Sequence, residues 1–183
     1  GTLFYLRRIA LPELGGYDAA YTPYAGFTSA WPSAGPLGEA FTPMGAWGIP
    51  AVNTLLLLTS GVTLTIAHWG LMAGKRGQLV WGLAATILLG VVFLGFQAFE
   101  YMHAYHELGL TLGAGIYGAT FFITTGFHGM HVTLGAIMLA VILGRSMKGH
   151  FSEHNHFAFE AVAWYWHFVD VVWLLVFVFV YWL

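Results

Sequence analysis

Four long apolar runs, parted by short polar turns, set the pattern of this chain. They fall at about 50–72, 79–103, 114–143 and 156–183. Each is long enough to cross a bilayer, which needs about 20 mainly apolar residues. The pattern predicts an all-α, polytopic transmembrane bundle with four full spans. Residues 1–10 form a fifth apolar stub, too short to span alone, ending at Arg7 and Arg8. It reads as the end of a truncated helix. Residues 11–47 hold five of the six prolines, so a long outer loop is expected there. Its Trp31, Trp47, Tyr17, Tyr21 and Tyr24 suit a membrane interface. Pro50 stands where the first span begins, a position that tolerates proline. The third span is rich in glycine (Gly115, Gly118, Gly126, Gly129, Gly135), which lets helix backbones approach. Repeats and inter-domain linkers are not evident, so residues 1–183 read as one transmembrane domain.

The last run departs from a plain lipid-facing span. It carries Glu160, His167 and Asp170 among Trp164, Trp166, Trp173 and Trp182. Glu160, Trp164 and His167 fall at i, i+4 and i+7, with Asp170 close to the same face. Ionisable groups within a span usually face protein or water. This face is therefore expected to pack against other helices.

Composition sharpens the class. The chain is 58% hydrophobic and 8% charged, with a mean hydropathy of +0.73. Soluble domains carry about 25% charged residues. With 6 basic and 8 acidic residues, a nucleic-acid partner is not expected. Zero cysteines exclude disulfides, thiolate metal sites and a cysteine nucleophile. Lys75, Arg76, Arg145 and Lys148 lie in the turns on one side, which the positive-inside rule makes cytoplasmic.

Several polar groups invite chemistry. His131 and Asp170 lie at similar depth on adjacent antiparallel helices, roughly 20 Å from one surface by helical rise. Asp170 is expected to be buried and paired with His131 or with His128, one turn away. A buried polar clamp is the structural reading, and a proton relay or metal site the functional one. His68, His156 and Glu160, with His150 and His154 nearby, form a second candidate group. Two imidazoles and a carboxylate suit a divalent cation, though solvated interfacial histidines are the plainer reading. Haem ligation by His128, His131 and His167 is a rival reading that the bulky Trp and Tyr surroundings disfavour. Arg145 and Lys148 suit lipid phosphate, with Trp164 flanking an acyl chain. TGFHGMH lacks the glutamate of a HExxH site.

HFAFEAVAWYWHFVDVVW (156–173) and YGATFFITTGFHGMHVTLG (117–135) closely resemble cytochrome c oxidase subunit III of the haem–copper oxidases. So do NTLLLLTSGVTLTIAH (53–68) and QAFEY (97–101). The resemblance runs from about Phe41 to the C-terminus. It implies a seven-helix fold, with two helices set apart from five by a lipid-filled cleft. It implies direct packing on oxidase subunit I, with subunit II in the same complex. Haem and copper would sit in those partners, with no cofactor or catalytic residue in this chain and phospholipid bound against it. The implied role is accessory: to stabilise the catalytic subunit and support proton uptake. The implied setting is a bacterial inner membrane, or alternatively the mitochondrial inner membrane. Glu100, His128, His131, Arg145, Glu160, Trp164, His167 and Asp170 match family motif positions. Arg145 and Trp164 match positions linked to phospholipid. His68, His156 and Glu160 match a cluster linked to inhibitory zinc. Ala158 replaces a family glycine, and the family's first two helices and most of its third have no counterpart here. The matching subunit of a quinol oxidase or nitric oxide reductase is the rival within the family. A haem-binding membrane anchor and a proton-coupled transporter are rivals of other classes.

Overall fold

The computed structural model describes residues 45–112, 115–152 and 155–182. The stub, nearly all of the long loop, Glu153 and His154 lie outside the described residues. Among the described residues, four helices are long and apolar enough to cross a membrane. They are α1 (Ile49–Met72), α2 (Arg76–His106), α3 (Ile116–Met147) and α4 (Phe157–Val176). A π-helical turn, Phe177–Trp182, continues α4 without a break.

The helices exceed the apolar runs at their polar ends. α2 begins at Arg76 rather than Leu79, and α3 runs on to Met147. A helix does not stop where hydropathy falls, because its backbone bonds continue through polar residues. Gln78, in the first turn of α2, donates from Nε2 to the Ile66 carbonyl of α1 at 2.9 Å. Pro50 sits in the first turn of α1.

Two helix ends on the basic side close by the same device. Gly74 has φ +66° and Gly149 φ +72°. After α1, Lys75 N–H reaches the Gly70 carbonyl at 2.8 Å and Gly74 N–H reaches Leu71 at 3.1 Å. After α3, His150 N–H reaches Arg145 at 3.1 Å and Gly149 N–H reaches Ser146 at 3.0 Å. These paired bonds form a Schellman motif, which needs a left-handed residue that only glycine adopts cheaply.

Each helix packs on its neighbour in sequence, and α4 closes back onto α1. The outward faces are apolar: Leu55, Val62, Leu88, Ile123, Phe127, Ile137, Phe168 and Leu175 are all exposed. Polar side chains lie inside: Asn53, Ser60, Thr86, Gln97, Glu100, Thr125, His128 and Asp170 are buried. A bundle in lipid has this polarity, since lipid rewards apolar surface and polar groups must find partners within.

Two tryptophans of α4 fill the centre. Trp166 is fully buried, and its Nε1 donates to Ser60 Oγ of α1 at 2.9 Å. Its ring occupies space left by two glycines. A Cβ on Gly90 of α2 would lie 2.7 Å from Trp166 Cη2, and one on Gly135 of α3 would lie 2.8 Å from Cε3. Trp173, one helical face above, donates from Nε1 to Thr54 Oγ1 of α1 at 3.0 Å. Thr63 and Thr86 hydroxyls meet at 2.8 Å and fix the register of α1 against α2.

Candidate functional site

The titratable stripe of α4 faces α1. Asp170 Oδ2 lies 3.8 Å from Nδ1 of His167, on its own helix. A Cβ on Gly61 of α1 would stand 2.7 Å from that same carboxylate oxygen. The missing side chain of Gly61 therefore creates the space in which the His167–Asp170 pair sits. Asp170 is buried, as expected, but its partner is not His128 or His131. The reason is rotation. Depth counting places Asp170 and His131 at one level, but Asp170 points from α4 toward α1, away from α3. His128 is buried and donates from Nε2 to the Val169 carbonyl at 3.1 Å. Phe93 and Trp173 flank its ring, with centroids 5.7 and 4.8 Å away. His131 donates from Nδ1 to Phe127 of its own helix at 2.8 Å. Glu100 is buried at the far end of the bundle, apart from these groups. The expected clamp thus resolves into three separate places.

Below the His167–Asp170 pair, toward the basic turns, His68, His156 and Glu160 come together. Their ligand atoms all lie within 4.8 Å of one another. His156 Nε2 stands 3.2 Å from Glu160 Oε1, and His68 Nε2 stands 3.7 Å from the same oxygen. His156 Nδ1 donates to the Ser152 carbonyl at 3.1 Å, which orients its ring. His156 is the N-cap of α4 and Glu160 lies four residues on, above it on the same face, and the antiparallel α1 brings His68 to their level. Two imidazoles and a carboxylate fit the donor chemistry of zinc. A groove of about 250 Å³, lined by Leu64, Thr65, His68, Glu160, Trp164 and His167, joins this cluster to the pair above. Five titratable groups therefore run along the α1–α4 seam from the basic end inward.

The basic end holds a second recess of about 420 Å³, bordered by Arg76, Ser146, Gly149, Phe151 and Ser152. Arg76 donates from Nη2 to the Met147 carbonyl, joining the α1–α2 turn to the end of α3. Arg145 is exposed, with its guanidinium 4.9 Å from the Phe151 ring centroid. Lys148 caps α3 and is exposed. Glu160 faces the two histidines rather than Arg145, and Glu153 is outside the described residues. Trp164 is 78% exposed and lines the α1–α4 groove. A third recess, about 420 Å³ and almost wholly apolar, opens between α3 and α4 beside Phe127, His131, Phe168 and Val172.

Asn53 and Ser60 are two further buried polar residues of α1. A lone Asn or Ser in an apolar run has one signal, its very presence in a span.

A family model described as cytochrome c oxidase subunit III matches residues 14–183. The chain belongs to that family. Similar proteins include cytochrome c oxidase subunit 3 of Cyprinus carpio, 47% identical over 166 residues. That of Formosania lacustris is 48% identical and that of Branchiostoma lanceolatum 45%, over 166 residues each. These alignments cover 91% of this chain and 60% of each relative. The chain thus spans about 60% of the length of the curated relatives it matches. Within the family, the WYWHFVDVVW stretch now has a physical account. Its Trp166 and Trp173 hold the bundle centre, and His167 and Asp170 occupy the notch left by Gly61.

Proposed function

We propose that this chain is an accessory, non-catalytic membrane subunit of a respiratory cytochrome c oxidase. It stabilises the catalytic subunit I, in a complex that includes subunit II, and supports proton uptake during oxygen reduction. The observation that carries the reading beyond family membership is the titratable seam: His156, Glu160, His68, His167 and Asp170 along one groove. Such a line of groups can take protons from water at the basic surface and hold them near a partner's uptake channel. Haem and copper belong to the partner subunits. His128 and His131 are engaged with backbone carbonyls, which supports a packing role for them rather than ligation. The host membrane in this reading is a bacterial inner membrane, with the mitochondrial inner membrane as the alternative.

Phospholipid is the proposed ligand of the outer surface. Arg145 and Lys148 are exposed at the basic end of α3, where this reading puts inner-leaflet phosphates, and arginine's planar fork matches phosphate oxygens. The apolar recess between α3 and α4 suits an acyl chain. Zinc at His68, His156 and Glu160 would occupy the seam and is proposed as an inhibitor, not a resident cofactor. It would compete with protons for the same atoms.

The test is to purify the oxidase with and without Arg145→Ala. The variant should retain less phospholipid and inactivate faster during turnover, while its initial rate stays near normal. Unchanged lipid content and unchanged inactivation would leave Arg145 a topological role only. Glu160→Gln should slow proton uptake and weaken zinc inhibition about tenfold or more, as loss of one of three ligands implies. Unaltered zinc sensitivity would remove the seam from the account.

A further inference from the structure

The end of the bundle away from the basic turns holds an unusual set of buried polar atoms. Asn53 is 0% exposed, Glu100 1%, Gln97 5% and Tyr181 7%. Seven atoms of these four residues lack a hydrogen-bond partner among the described residues. They are Asn53 Oδ1 and Nδ2, Gln97 Oε1 and Nε2, both Glu100 carboxylate oxygens and the Tyr181 hydroxyl. Native interiors rarely leave such groups unpaired, and a lipid-embedded bundle has no bulk water to relieve them.

The fold sets the four at one end of the bundle. The Thr63–Thr86 bond and the Ala67–Gly82 approach fix the antiparallel register of α1 and α2. Asn53 lies ten residues from Thr63 on α1 and Gln97 eleven from Thr86 on α2, so the two stand at about the same level. Glu100 follows one turn further along α2. The π-helical turn at the end of α4 packs on α1 and buries Val180 and Tyr181 together. A wider turn lets two consecutive side chains face inward, which a regular α-helix would split between faces. The Tyr181 ring also meets Phe121 of α3, with centroids 5.5 Å apart. Trp173 walls the site, 6.2 Å from the Tyr181 ring and bonded to Thr54 next to Asn53.

The chemistry of the set selects its occupant. Both amides carry unmet N–H donors, the carboxylate offers only acceptors when ionised, and the phenol can do either. A metal cation would satisfy the oxygens and leave both amide N–H groups unmet. Water donates and accepts, so it can serve every member. We propose that Asn53, Gln97, Glu100 and the Tyr181 hydroxyl enclose a buried cluster of ordered water. This cluster ties the last turn of α4 to α1 and α2.

The test is a structure of the full-length chain, in the membrane assembly with which it purifies, at a resolution that shows ordered water. Density about 3 Å from both a Glu100 oxygen and an Asn53 or Gln97 amide is the expected result. Direct side-chain pairing with no density between would overturn the proposal. To separate water from a cation, thermal melting is compared in sodium, potassium and choline buffers with chelator present. Equal midpoints support water, and a midpoint that follows the cation refutes it. Tyr181→Phe removes one polar anchor and leaves the ring, so it should assemble. It should lower the midpoint by about 2–4 °C and displace density next to the lost hydroxyl. An unmoved midpoint and unmoved density would place Tyr181 outside the site.

Discussion

Trp166 is the residue whose surroundings are most tightly specified. Its indole N–H reaches Ser60, and its ring lies where side chains are missing at Gly90 and Gly135. Trp166→Phe keeps much of the volume and loses the hydrogen bond, so it should cost about 1–2 kcal/mol. Gly135→Ala and Gly90→Ala should each cost more, because the nearest atoms belong to a rigid, fully buried indole ring rather than to a flexible side-chain end. Thermal melting of the assembled protein checks both, and an alanine variant as stable as the parent would contradict the packing. Gly129, by contrast, has nothing within 4 Å of an added Cβ, so Gly129→Ala should be tolerated. The five glycines of α3 looked alike in the sequence. What distinguishes Gly135 from Gly129 is which way each faces, and that depends on helix rotation. The same limit explains Asp170. Its depth was legible from helical rise, but its partner was not, because a rotation of α4 exchanges α3 for α1 as the facing helix. Asp170→Leu should impair assembly more than Asp170→Asn, which keeps the shape and a hydrogen-bonding oxygen against His167.

At the scale of the element, span number and approximate limits were readable from hydropathy alone. The ends were not, since Arg76 and Met147 remain helical beyond the apolar runs. Closure of α1 rests on Gly74, whose left-handed conformation carries the paired bonds from Lys75 and Gly74. Gly74→Ala should destabilise by about 1 kcal/mol, while Gly77→Ala, in open space, should be neutral or slightly stabilising. A melting comparison of the two variants separates a conformational requirement from mere smallness. The convergence of His68 with His156 and Glu160 could be drawn only as a candidate from sequence. It becomes a fact of geometry once α4 closes onto α1 and sets their ends level. The π-helical turn left no trace in the residue pattern, because FVFVYW continues an apolar run in either geometry.

At the scale of the whole molecule, the bundle is apolar outside and polar within. Side chains such as Phe127, Ile137, Phe168 and Leu175 give it a surface that only lipid or another membrane subunit can cover. The family resemblance, carried by long motifs in order, was readable from residues, and the family model agrees over residues 14–183. What motifs could not supply is the reason for them: Trp166 and Trp173 hold the centre, and Glu160, His167 and Asp170 line the α1–α4 seam. The central claim is that this chain serves a haem- and copper-bearing oxidase without holding its redox centres. The most direct measurement is to purify the full-length chain by an affinity tag under mild detergent and record its partners and optical spectrum. The account predicts co-purification of a large subunit with haem and copper. It also predicts that stripping this chain away leaves the haem spectrum with that partner and accelerates its inactivation during turnover. A haem spectrum that instead follows this chain after separation would contradict it.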